Sequence, residues 1–508
     1  MKKRTLILLL ALCLLTLSGC VSAANPTTVP DVPTLAPASS AYEAPVNDDG
    51  LAYTTTAVLY LPSRDRQSLL AQYATVELRH SVSSAETIVR ALLAYPSNDR
   101  VTSLSGAVTL GLYGPNPVEV AGNVCTVNLS SSVLQLEYND RYTVFLALAS
   151  TLGELDNIRF VNVLVADQAI GLDISGNLAA GSLIAHPGEE LPVLWEQMDA
   201  RRTPLGADPA VQPLTATATL YFPLADGTGI LPETRNLTFT GQTAQALTTG
   251  LLNALSDGAQ YLDGTAAMPD MSTILTSAPE LSELAGGGRM ITLHLAGDYT
   301  DRLDLLGIDR TDFIGALVYT IQTFVPSVGA VRIYAGSSLM TSLDGMTFAD
   351  GIQHRRQFAG LLMDQVTIYL ACENRLVPVI RTLPAAMSDD PRSLLALIMA
   401  GATDADRANG ISSVLPASMD GSDVLGVSII GDTMLLNLSP RFERLISQND
   451  QSSEQLLCYS IVSTLCQAKH LRRMQFFFGG EMRESLGGQL YWGGEFILNT
   501  GLIDQTMG

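Results

Sequence analysis

The chain has 508 residues, of which 47% are hydrophobic and only 16% charged, so it can bury several ordinary cores and does not have the composition of a disordered protein. Its formal net charge of −21 sets it against nucleic acid and anionic lipid surfaces as partners. At ~150 residues per domain, the length suggests about three domains.

The N-terminus has the form of a targeting segment. Lys2, Lys3 and Arg4 precede an apolar run, Leu6–Leu17, which is shorter than the ~20 residues a membrane span needs. The run ends in Leu17-Ser18-Gly19-Cys20, which resembles the lipobox of bacterial lipoproteins. The resemblance implies cleavage of residues 1–20 as a signal peptide and acylation of Cys20. It also implies an address on the outer face of the cytoplasmic membrane. Residues 21–50 are rich in Pro, Ala, Ser and Thr and show no apolar period, as in a tether. Fully extended at ~3.1 Å per residue, they reach about 90 Å.

Residues 51–185 form the first predicted domain. Period-two alternation predicts strands over Thr55–Leu61 and Ala74–Arg79. A helix follows from a Ser83 or Ser84 cap to Leu93. A hairpin is expected where Pro117–Val120 meets Val124–Leu129, then a helix over Tyr142–Leu152 and a strand over Phe160–Val165. Residues 186–213, with several Pro and Gly, read as a linker and candidate hinge.

The same order returns in residues 214–340, a divergent second domain. Strands are predicted at Ala218–Phe222 and Arg235–Thr240, and a helix at Ala244–Leu255. A hairpin at Gly286–Leu295, a helix over Thr311–Phe324 and a strand over Ala330–Ala335 follow. Residues 341–360 read as a second linker. The third domain, 361–508, opens with Gln365–Leu370 and Arg375–Leu383. Asp390 and Pro391 start a helix to Met399. A hairpin turns at Gly431-Asp432, a helix is centred on Leu456–Leu465, and a strand covers Met474–Phe478. The opening strands carry Tyr60, Tyr221 and Tyr369, and that spacing is the size of a whole domain rather than a solenoid turn. The expected fold is α+β: three tandem small mixed-sheet domains, each of about five strands with two helices on one face.

A family resemblance is carried by Leu376–Pro384, the helix Pro391–Met399, Ile411–Pro416, Leu436-Asn437-Leu438-Ser439-Pro440-Arg441-Phe442 and Ile461–Leu465. This stretch resembles the GerMN domain of sporulation and germination lipoproteins. Val127-Asn128-Leu129-Ser130 and Ala149-Ser150-Thr151-Leu152 give the first domain a partial match. The second matches mainly in element order, with His294 where the third has Asn437. The resemblance implies a ring-building type of fold, no enzymatic activity, no cofactor, and work as a structural or protein-interaction module. Protein partners or self-association are expected, with peptidoglycan or solute binding as the alternative.

The chemistry-bearing residues give no enzyme signature. His80, His186, His294, His354 and His470 lack partners at metal-ligand spacing. Cys125, Cys372, Cys458 and Cys466 form no C-x-x-C pair, and a bridge through Cys125 or Cys372 stays open. Gly286-Gly287-Gly288 leads into a strand, as a tight turn does, and not into the helix of a phosphate loop. Glu481, Glu484 and Glu495 lie in a Gly-rich tail, where exposed acids are common. Asn128 and Asn437 close strand ends, and their role reads as structural. Tyr491 and Trp492 are the ligand-binding candidates, since aromatic faces flanked by glycine can stack on sugars. A packed C-terminal strand is the competing explanation.

Overall fold

The computed structural model describes residues 42–46, 53–79, 82–106, 108–284, 288–415, 418–447, 451–469, 471–486, 488 and 490–504. The predicted signal peptide, Cys20, His80, His470, Gly286 and Gly287 lie outside the described residues.

Three successive units share one element order, hairpin–helix–hairpin–helix–strand. Unit one has β1 (Tyr53–Pro62), β2 (Leu69–Leu78), α1 (Ser84–Ala94), β3 (Val118–Ala121), β4 (Val124–Leu129), α2 (Tyr138–Leu152), β5 (Phe160–Val165) and β6 (Gln168–Ala169). A helix α3 (Leu191–Asp199) leads on to unit two. That unit has β7 (Leu214–Pro223), β8 (Ile230–Phe239), α4 (Ala244–Ser256), β9 (Glu280–Glu283), β10 (Arg289–Leu295), α5 (Arg310–Phe324), β11 (Val328–Ala335) and β12 (Ser338–Leu339). Unit three has β13 (Met363–Cys372), β14 (Arg375–Pro384), α6 (Pro391–Ala400), β15 (Val424–Ile430), β16 (Thr433–Leu438), α7 (Gln451–Ala468), β17 (Arg473–Phe478) and β18 (Phe496–Ile497).

The α+β class is as expected, but the strands of a unit do not form one sheet. The opening pairs β1–β2, β7–β8 and β13–β14 are antiparallel hairpins separate from the later strands, and the short strand Ile411–Ser412 adds to the outer edge of β13 at Ala371 and Cys372. The later strands make a separate mixed sheet, in which β4–β5, β10–β11 and β16–β17 run parallel and their neighbours antiparallel. The long helix of each unit lies between hairpin and sheet and packs on both. That placement explains a second departure. Helices lying on one face of a sheet would each show a single apolar stripe, yet every residue from Arg141 to Leu152 in α2 and from Asp312 to Phe324 in α5 is buried. A helix covered on both sides has no solvent face to keep polar.

One contact ties hairpin to helix in all three units. The outer strand of a two-stranded hairpin has N–H groups that its partner cannot reach. In β1 the Tyr60 N–H donates to Thr151 Oγ1 at 2.9 Å. In β7 the Tyr221 N–H donates to Thr320 Oγ1 at 3.0 Å, and in β13 the Tyr369 N–H donates to Thr464 Oγ1 at 3.1 Å. All three threonines are buried. A hydroxyl on the covering helix thus satisfies an edge N–H that no strand can.

The segments expected as hinges are packed. In 186–213, Leu191, Leu194 and Met198 of α3 are buried, and Trp195 Nε1 donates to Thr143 Oγ1 at 3.0 Å. In 341–360, Phe348 and Phe358 are buried with ring centroids 5.9 Å apart. Arg355 pairs with Glu119 of β3 at 2.5 Å and lies 4.3 Å over the Tyr319 ring. A few large side chains within these segments bind them to the body. One continuous apolar cluster runs from Ala57 to Ala385 through units one and two, and unit three holds its own from Ile368 to Ile503.

Replacing Thr464 by Val keeps the shape and removes the acceptor, leaving the Tyr369 N–H buried and unpaired. The expected cost is about 1–3 kcal/mol by chemical denaturation, with Thr464→Ser retaining most of the stability. A second prediction concerns Asp312, whose Oδ2 is buried with no hydrogen-bond partner. Burial first, and the nearby Asp309 carboxylate second, raise its pKa from 3.8 to about 6. A raised folded-state value means that the stabilising contribution is complete below the ordinary pKa and is lost as pH rises through about 6. Asp312→Asn is therefore expected to raise the melting temperature at mildly alkaline pH and to change it little at mildly acidic pH.

Candidate functional site

Each mixed sheet turns one face to its helices and leaves a back face. In β16, Met434, Leu436 and Leu438 enter the core, so Thr433, Leu435 and Asn437 point the other way. Asn437 is 1% exposed, and both ends of its amide are engaged. Its Oδ1 accepts from the Gly480 N–H at 3.0 Å, and its Nδ2 donates to the Pro45 carbonyl at 2.9 Å. Across the ladder stands Gly426, just after a register shift in β15. A Cβ on Gly426 would lie 2.1 Å from the Pro45 oxygen. Asn437 and Gly426 therefore form a socket, and the buried Pro45 fills it. The tether expected to run free from 21 to 50 is held against unit three at residues 42–46. Its composition gave no sign of this, because the partner lies 392 positions away.

The equivalent Asn128 works within its own unit. It accepts from the Asp167 N–H at 3.0 Å and donates to Asp167 Oδ1 at 2.6 Å. Both asparagines thus bind the turn after the last parallel strand, which is the structural role expected of them. Unit one's back face meets the next hairpin instead. Asn162 Nδ2 donates to Thr219 Oγ1 at 3.1 Å, and Ser182 Oγ donates to Asn162 Oδ1 at 2.7 Å, all of them buried. In unit two His294 takes the asparagine's place. Its ring stacks on Tyr334 with centroids 4.9 Å apart, and its Nε2 lies 3.7 Å from Glu280 Oε1. Here the ring pair is only partly buried.

A cavity of about 380 Å³ opens where units one and two meet, lined among others by Tyr138, Arg141, Asp173 and Ser327. Arg141 is buried and donates through Nη2 to the carbonyls of Leu134 and Leu136 at 2.9 and 3.2 Å. Burial lowers its pKa. The Asp173 carboxylate is spent on its own turn, accepting from the N–H groups of Asn177 and Leu178, each at 2.9 Å.

The structure separates the two aromatic candidates. Trp492 is fully buried, edge-on to Phe476 and Phe478, and its Nε1 donates to Glu454 Oε1 at 2.7 Å. It is a core residue and has no face for a ligand. Tyr491 is 56% exposed. Glu481 and Glu495 pair with Arg483 and Arg473 at 2.6 and 3.0 Å. Cys125, Cys372, Cys458 and Cys466 are free, and burial pushes the Cys466 thiol up to about 12. Among the described residues no group of three or more His, Cys, Asp or Glu is placed to hold a metal ion. Sequence reading missed the Thr151–Thr320–Thr464 set and the Gly426 socket. Aligning the three long helices on one another, Ala149–Leu152 with Val318–Ile321 and Val462–Leu465, would have exposed the threonines. Nothing local would have exposed the socket.

Residues 367–484 match the family described as "Germane: Sporulation and spore germination". The match falls within the third unit, the Germane unit. Two solved structures are similar to the chain. The tandem GerMN domains of the sporulation protein GerM from Bacillus subtilis are 16% identical, with 59% of this chain and 99% of that chain covered and a TM-score of 0.22. A Clostridium perfringens protein described as a lipoprotein is 17% identical, with 27% and 87% covered and a TM-score of 0.19. Superpositions this loose carry no argument about how this chain works. No curated protein matches it.

Trp492→Phe is expected to deprive buried Glu454 of the indole donor and to destabilise the Germane unit by about 1–3 kcal/mol. Tyr491→Ala is expected to leave thermal unfolding unchanged. Equal effects of the two would contradict the placement of these rings.

Proposed function

We propose that this protein is a lipid-anchored extracytoplasmic module that serves sporulation, spore germination or envelope assembly by docking other proteins on the backs of its sheets. The carrying observation is that this surface already serves twice as an interface within the chain. Unit one's back face holds the hairpin of unit two through Asn162 and Thr219, and the Germane unit's holds Pro45. On unit two's back face, Tyr334 and His294 stay half-exposed among the described residues. The lipobox ending at Cys20 supports the anchor. Among the described residues no helix is long and apolar enough to cross a membrane.

Two measurements test this reading. Cys20→Ser is expected to abolish fatty-acid labelling and to move the protein out of the membrane fraction. Retention of both would overturn the anchor. A photo-crosslinking residue at Tyr334 in cells is expected to give discrete protein adducts, and deletion of the gene a sporulation or germination defect. Saturable retention on insoluble peptidoglycan, without protein adducts, would replace protein docking by wall binding.

A further inference from the structure

We infer that the Gly426–Asn437 socket of the Germane unit is a binding site for an extended, proline-containing peptide, and that its resident ligand is the chain's own Tyr42–Val46 segment. The inference rests on reading the sheet backs as docking surfaces and adds what one of them binds.

The chemistry of the socket suits proline. Burying ordinary backbone requires a partner for one N–H and one C=O per residue. Proline has no N–H, so its carbonyl alone needs a partner, and Asn437 Nδ2 supplies it at 2.9 Å. The fixed φ of proline also holds the segment extended, which lowers the entropy lost on docking. Asn437 is held in place from its other end by the Gly480 N–H, so the amide is aimed before the peptide arrives. Gly426 supplies the space, since any side chain there would strike the Pro45 carbonyl. Burial peaks at the proline: Glu43 is exposed, Ala44 half-buried, Pro45 buried and Val46 exposed.

The socket is peculiar to the third unit. Asn128 donates to Asp167 instead, and its backbone N–H donates to the carbonyl of Pro117, so no glycine stands opposite it. In unit two the position is a histidine stacked on Tyr334. The consequence is mechanical. With residues 42–46 seated, only residues 21–41 separate Cys20 from the docked segment, a span of at most about 65 Å. The body then hangs from its C-terminal Germane unit, although the anchor precedes unit one. A partner's proline-containing segment that took the socket would release the rest of the tether and let the body stand further out.

Spin labels at Glu43→Cys and Ile430→Cys test this in the mature chain carrying Cys20→Ser and Cys372→Ser. The expected result is one narrow distance distribution. Gly426→Val should broaden it. Because that change could disturb the sheet, Ala44, Pro45 and Val46 are also replaced together by Gly, which alters only the tether and should broaden the distribution equally. A synthetic peptide of residues 40–48 should bind the triple-Gly chain about tenfold or more tightly than the parent, whose socket is filled at high effective concentration. A broad distribution in the parent, a narrow one in the triple-Gly chain, or equal peptide binding to both would overturn the inference. None of these outcomes depends on anchoring or on a role in spores.

Discussion

A hairpin of two strands has two edges, and a buried edge must find partners for half of its N–H groups. In this chain a threonine on the long helix of each unit takes one of them, from Tyr60, Tyr221 or Tyr369. Much of the architecture follows. The hairpin stays apart from the mixed sheet, because the helix lies against its outer edge; only in unit three does a short strand, Ile411–Ser412, also reach that edge, at Ala371 and Cys372. The helix must then be covered on the hairpin side as well as on the sheet side, so α2 from Arg141 and α5 from Asp312 are buried to their ends. Each unit becomes three layers, hairpin, helices and sheet, with the back of the sheet as the one large face left to other partners.

That leftover face is where the units differ. Unit one uses it to hold unit two through a buried set of hydroxyls and the Asn162 amide. Buried polar networks of this kind, when satisfied, fix one arrangement of the parts. Unit three uses it to seat Pro45. In unit two the matching position carries the His294–Tyr334 stack, with Arg332 paired to Thr292 one step along the same face. The same fold thus presents three different surfaces, which suits a scaffold better than an array of equivalent sites.

The order of elements was legible because period two and period 3.6 are properties of the local chain. Thr55–Leu61 and Tyr142–Leu152 announce themselves as strand and helix without any partner. Partner choice is not local. Five alternating strands per unit suggested one sheet, and only the threonine on the facing helix shows why the first two stay apart. The same limit applies to the candidate residues. Tyr491 and Trp492 are adjacent and look alike in sequence, yet Phe476, Phe478 and Glu454 draw one ring into the core and leave the other outside. The Pro-rich tether reads as a spacer because its composition lacks an apolar pattern. Its one docked residue is recognised by Gly426 and Asn437, hundreds of positions away. Asn128 was legible as structural, because closing a strand end is a local task, whereas the bond from Asn437 to Pro45 was not.

The central claim is that helix hydroxyls seal the hairpin edges and so set the layer order. Hydrogen exchange of individual backbone amides tests it most directly. The account predicts that the Tyr60, Tyr221 and Tyr369 amides, which have no strand partner, exchange as slowly as amides inside the strand ladders, opening only with their units. Exchange of these three at the rate of a solvated edge strand, with their ladder neighbours still protected, would contradict it.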